Sequence, residues 1–160
     1  MDRKIFQFEK IARKVGRLSV GSVEFVTEEL HPFDERNVHP QIGNVSKKLF
    51  DDGHFAQATF EAFKHVDNLV AKVSNENKSG YKLMMDVFNE NTPKIQLTNL
   101  SNTSEKDEQK GYSFLFAGSM MAIRNPRGHD VGNSDSIEQC LDHLCLASLL
   151  LRRLDERQNP

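Results

Sequence analysis

Within the stretch MAIRNPRGHD, residues 121–130, Arg124, Asn125, Arg127 and His129 stand within six positions of one another. An arginine carries a planar fork of N–H donors that stays charged at any physiological pH, which suits a phosphate or the extra charge of a pentavalent phosphorane. A histidine near its ordinary pKa gives or takes a proton at neutral pH. Those two groups are the minimum for RNA cleavage without a metal, in which a 2'-hydroxyl attacks the adjacent phosphate. Asn125 is placed to orient either partner, and Arg127 is a further phosphate-binding candidate. The same residue types are also common at helix ends, so spacing alone leaves a plain structural turn open.

The elements around this stretch determine what it does. GYSFLFAGSMMAIRN is apolar on most of a helix circumference, as a central bundle helix would be, with Gly118 read as a point of close helix contact. Pro126 biases Asn125 toward extended backbone, which predicts that this helix stops and that Arg124 and His129 converge across a turn. Upstream, Phe55, Thr59, Ala62, Phe63, Val66, Leu69, Val70 and Val73 recur at spacings of three and four, predicting a long amphipathic helix. Downstream, Ile137, Cys140, Leu141, Leu144, Ser148, Leu151 and Leu154 form a second such stripe, capped by Ser134 or Asp135.

Between these elements, YKLMMDVFNE reads as a shorter helix ending before Pro93, and PKIQLTNL supplies a short extended or β segment near 94–98. SNTSEKDEQKG reads as an exposed loop. Ser46 is read as the cap of a short turn, and LHPFDERNVHPQIGN as a connector in which Pro32 and Pro40 force the preceding histidines out of helical backbone. Residues 1–36 are expected to be a helical extension broken at Gly16 and Gly21. The predicted whole is one all-α domain over residues 1–160, a bundle of about four to five helices.

Composition narrows the function classes. With 21 basic and 23 acidic residues and a net charge of -2, the chain lacks the overall basic field of a general nucleic-acid binder, so an anionic substrate must be met by a local cluster. There is no apolar run of membrane-spanning length and no glycine-rich phosphate loop. Cys140 and Cys145 are read as inert reduced thiols, consistent with a cytoplasmic protein. His39 and His54 are read as structural and His143 as a histidine at the core margin. Glu61 is either a solvated glutamate or a support for Arg124, and Arg152 with Arg153 either a solvated face or a grip on RNA. No metal-ligand spacing is present, and no cofactor is expected.

An arginine, a polar residue, three further residues and a histidine, set among helices, resemble the signature of the HEPN superfamily. More narrowly, HPQIGNVSKKLFDDGHFAQATFEAFKHVDNLV, LMMDVF, GYSFLFAGSMMAIRNPRGHD and CLASLLLRRLDE, in that order, resemble the Ymh-like family of bacterial proteins of uncharacterised function. The superfamily resemblance implies an all-α domain and a metal-independent ribonuclease of a toxin–antitoxin, abortive-infection or antiviral system. It also implies a homodimer whose two motifs face one cleft. By position it assigns the motif arginine to Arg124, the polar residue to Asn125 and the histidine to His129. RNA and an antitoxin or other defence partner follow as expected partners, with no membrane. The alternative that the same resemblance carries is a non-catalytic module binding nucleic acid, a nucleotide or a protein.

Overall fold

The computed structural model describes residues 30–129 and 134–157, the His129 side chain excepted. The reading of residues 1–29 as helical pieces lies outside them, as do residues 130–133 and 158–160. Both His-Pro pairs start helices: α1, Pro32–Glu35, and α2, Pro40–Asp51. In each, proline occupies the first helical position, where its missing N–H costs nothing. The preceding His31 and His39 take extended backbone and cap the helix, each ring Nδ1 accepting the N–H two residues on. The far nitrogen of His39 donates to Asp155 at 3.0 Å, fastening the start of α2 to the end of the last helix. What reads as a connector is thus a pair of helix starts.

Ser46 lies buried inside α2 and donates to the Ile42 carbonyl, so it caps nothing. Gly53, at φ +80°, turns the chain into α3, Phe55–Ser74. Of the predicted stripe, Thr59, Ala62, Phe63, Val66 and Val70 are fully buried, joined by Ala58, while Phe55, Leu69 and Val73 are partly buried at its edges. Burying a side chain the size of Phe63 contributes about 1.5–3 kcal/mol. Helix α3 is the spine of the bundle, since every later helix apart from the one starting at Thr103 packs directly against it.

Helix α4, Gly80–Val87, is followed by an irregular connector rather than the β segment expected near 94–98; no strand occurs among the described residues. The connector's backbone is satisfied by one buried side chain. The Gln109 amide donates to the carbonyls of Phe88 and Ile95 and accepts the Leu97 N–H, doing for this segment what a neighbouring strand would do. Ile95 and Leu97 are consequently buried.

The charged stretch read as a loop is the first half of α5, Thr103–Ser119. Asn102 accepts the Glu105 N–H while the Glu105 carboxylate accepts the Ser101 N–H, so side chains satisfy two backbone donors at the helix start. Its buried side stacks Phe116 on Phe88, ring centroids 4.4 Å apart. Gly118 is exposed, with nothing within 4 Å of where a Cβ would stand, so it marks no helix contact within the chain.

The last long helix, α7, spans Ile137–Asp155. Its cap is Ser136, in a capping box with Gln139, one residue later than Asp135. Cys140, Leu144, Leu151 and Leu154 are buried as predicted, whereas Ile137 is half exposed.

Candidate functional site

Helix α5 does not stop before Pro126. A proline in a regular α-helix clashes with the carbonyl four residues back and leaves it without a donor. Here the chain first widens into a π turn, Met120–Arg124, and continues as α6, Asn125–His129. Asn125 is helical, at φ -63° and ψ -44°, and donates its N–H to the Met120 carbonyl five residues back. Arg124 to His129 is therefore a continuous helical stretch and not the predicted turn. Wide turns of this kind recur at functional sites, because they re-aim the side chains that follow.

The Arg124 guanidinium is held on three sides. Nη1 donates to Asn125 Oδ1 at 3.2 Å, Nη2 lies 3.6 Å from Asp67 Oδ2, and the group stands 5.9 Å from the centre of the Phe60 ring. Its Nε is buried and has no acceptor among the described residues, while a quarter of the side chain as a whole remains exposed. The arginine is thus oriented while its charge stays partly open to an anion. Asp67 is buried and accepts the Gly80 N–H at 2.7 Å. Gly80, at φ +65°, takes the left-handed backbone that favours glycine, and a Cβ there would stand at an ordinary contact distance of 3.9 Å from Arg124 Nη1.

Of the sequence candidates, Arg124 and Asn125 are brought together. Arg127 faces another way, with Nε donating to Asp135 Oδ2 at 2.7 Å and Nη1 to the Ile123 carbonyl at 2.8 Å. Asp135 also accepts the Thr59 hydroxyl at 2.9 Å, so one carboxylate ties α6 to α3 at the threshold of α7. Burial pushes the Asp135 carboxyl up, but the Arg127 and Thr59 hydrogen bonds together with the Arg127 charge outweigh it and hold the group below the usual carboxylate range. His143 completes this cluster. Burial pushes its pKa down and the neighbouring Arg127 pushes it further, with Asp135 opposing only in part. The His129 side chain, the expected proton carrier, lies outside what the structure describes.

Glu61 does not support Arg124; it is engaged by Lys64 and Gln57, and Asp67 stands beside the arginine instead. Arg153 donates to the Leu97 carbonyl and to Glu108, and Arg152 to the Asn37 carbonyl, so both fasten the fold. Burial pushes the Cys140 thiol up to about 11, which leaves it unreactive. Among the described residues no helix is long and apolar enough to cross a membrane.

Asp67 was legible as an anomaly, since it falls four residues after Phe63 inside the apolar stripe of α3, where a carboxylate seldom sits without a partner. Phe60 precedes Asp67 by two helical turns and so shares its side of α3. Another face carries a different signal. Phe114, Leu115 and Met121 are about half exposed and follow one another along α5 and the π turn, with exposed Gly118 between them and exposed Gly111 and Ala122 at either end. This apolar strip runs directly up to Arg124 and Asn125.

A family model described as "Protein of unknown function (Hypoth_ymh)" matches residues 36–154. The chain belongs to this family. The span matched in this Hypoth_ymh protein runs from the end of α1 into the last turn of α7. Every residue that holds Arg124 therefore lies inside it. Neither the curated proteins nor the solved structures yielded a match.

Proposed function

We propose that this protein is a metal-independent endoribonuclease of a bacterial defence, toxin–antitoxin or abortive-infection system, with a motif of the HEPN kind at residues 124–129. Arg124 stabilises the charge of the phosphorane, Asn125 orients the guanidinium, and His129 moves the proton. In the reaction the substrate's 2'-oxygen bonds to phosphorus as the bond to the 5'-oxygen breaks. One proton leaves the 2'-hydroxyl and one reaches the departing 5'-oxygen, giving a 2',3'-cyclic phosphate and a 5'-hydroxyl. The observation that carries this reading is the state of Arg124: held by Asn125, Asp67 and Phe60, and partly exposed, so that its charge is open to an anion.

Arg127 acts in this account as a brace for the motif helix and not as the phosphate ligand expected from sequence, because its donors are engaged by Asp135 and Ile123. The working form is a homodimer built on the exposed strip of Phe114, Leu115 and Met121, which brings two copies of residues 124–129 to one cleft. Exposed apolar surface of this kind marks association sites.

The competing reading is a silent helical module that binds nucleic acid, a nucleotide or a protein partner such as an antitoxin. It is favoured by the net charge of -2 and by the carboxylate already beside Arg124. Incubating the purified full chain with a mixed RNA pool in chelator separates the two. Fragmentation that Arg124→Ala abolishes supports the nuclease, whereas retention of intact RNA by the wild type supports the module.

A further inference from the structure

We infer that Asp67 is the positioning residue that sets the working orientation of Arg124, an assignment that rests on the nuclease reading of the site. The position itself calls for an apolar side chain: Asp67 belongs to the buried face of α3, flanked along the helix by Phe63, Val66 and Val70. As packing alone, a leucine or valine would serve there without the desolvation that a carboxylate suffers. Oδ1 is held by one hydrogen bond, from the Gly80 N–H, and Oδ2 faces Arg124 Nη2 at 3.6 Å. That distance is too long for a full hydrogen bond but close enough for charge attraction, since the Asp67 carboxylate is only 2% exposed.

The consequence is a division of the guanidinium. Asn125 takes one N–H of Nη1 and Asp67 draws Nη2, which fixes the plane of the group, while the buried Nε–H has no acceptor among the described residues. Phe60 limits the group on one side, and Gly80 lies near Nη1. Asp67 also joins three elements, since one carboxylate on α3 meets the first residue of α4 and the last residue of the π turn. It acts through Arg124 and touches no reacting atom.

The test is Asp67→Asn in the full chain, which keeps an acceptor for the Gly80 N–H and removes the charge. Turnover of RNA is expected to fall about 10²-fold, the scale of a misplaced catalytic group, with KM changed far less and the melting temperature nearly unchanged. The Arg124 Nε–Hε resonance, assigned by its loss in Arg124→Lys, is expected to shift and to exchange faster with water in Asp67→Asn. Wild-type turnover together with an unmoved resonance would overturn the assignment. Because the resonance needs no substrate, a wild-type protein that cleaves nothing would sink the nuclease reading while the spectrum still decided what Asp67 does to Arg124. A large fall in melting temperature with the resonance unmoved would make Asp67 a purely structural residue.

Discussion

Gly128 approaches Phe60 so closely that a Cβ at that position would stand 2.7 Å from Phe60 Cε2. The same ring lies beside the Arg124 guanidinium, so α6 is seated on α3 by a contact that also limits the arginine. Gly128→Ala is expected to force the ring aside, at a cost of about 1 kcal/mol, as overpacking of a half-buried site does. Urea unfolding of Gly128→Ala, Phe60→Leu and the double variant checks this. The double variant should be more stable than the sum of the two singles predicts, and strict additivity would contradict the contact.

The Arg127 and Asp135 pair is nearly buried, with side-chain exposures of 10% and 2%. Removing one partner strands the other's charge, so Arg127→Ala should destabilise the protein by about 3–5 kcal/mol. Replacing both, as in Arg127→Met with Asp135→Leu, should cost clearly less than the two single changes added together. Denaturant midpoints for the three variants decide whether the pair is the brace assigned to it.

Three titrating groups make stability depend on pH in the same direction. His143 and His65 are each depressed, first by burial and then by a neighbouring positive group, Arg127 and His39 respectively. Each binds its proton less readily when folded, so stability is full above the unfolded value of about 6.5 and falls as pH drops toward the folded value. Asp135 is likewise depressed, and its contribution is present above about pH 3.9 and lost on further acidification. The melting temperature should therefore decline in two stages below neutrality. His143→Gln should flatten part of the upper stage and leave the lower one; an unchanged upper stage would contradict the assignment of His143.

The exposed strip predicts association. Met121→Glu and Phe114→Glu should raise the dimer dissociation constant at least about tenfold, seen as a shift to monomer in sedimentation velocity, since a charge buried at an apolar contact is costly. Leu149→Glu, at an exposed apolar residue on α7, serves as the control and should leave the dimer intact. A wild type that is monomeric at every concentration would remove the two-copy cleft from the account.

The two longest helices were legible because their apolar stripes follow the helical period over about five turns, a signal that local chemistry does not disturb. The start of α5 was hidden because Asn102 and Glu105 signal a cap only when read together, and the charged residues after them resemble a loop. The segment at 94–98 alternates like a strand, yet its backbone partner is the Gln109 side chain, which no periodicity reveals. Arg124 and Asn125 stand out by residue type, while the π turn that carries them does not, since Pro126 reads as a stop. Asp67 needed the fold, because its partner lies 57 positions away in the chain (124 − 67).

The central claim is cleavage by 2'-hydroxyl attack at a site built on Arg124. Its most direct test is the chemistry of the product ends after wild-type protein, Arg124→Ala and His129→Ala have each been incubated with RNA in chelator. Wild-type protein is expected to leave 2',3'-cyclic phosphate and 5'-hydroxyl ends, with a loss of about 10²-fold or more in either folded variant. Ends bearing a 5'-phosphate, or cleavage that survives Arg124→Ala, would contradict it.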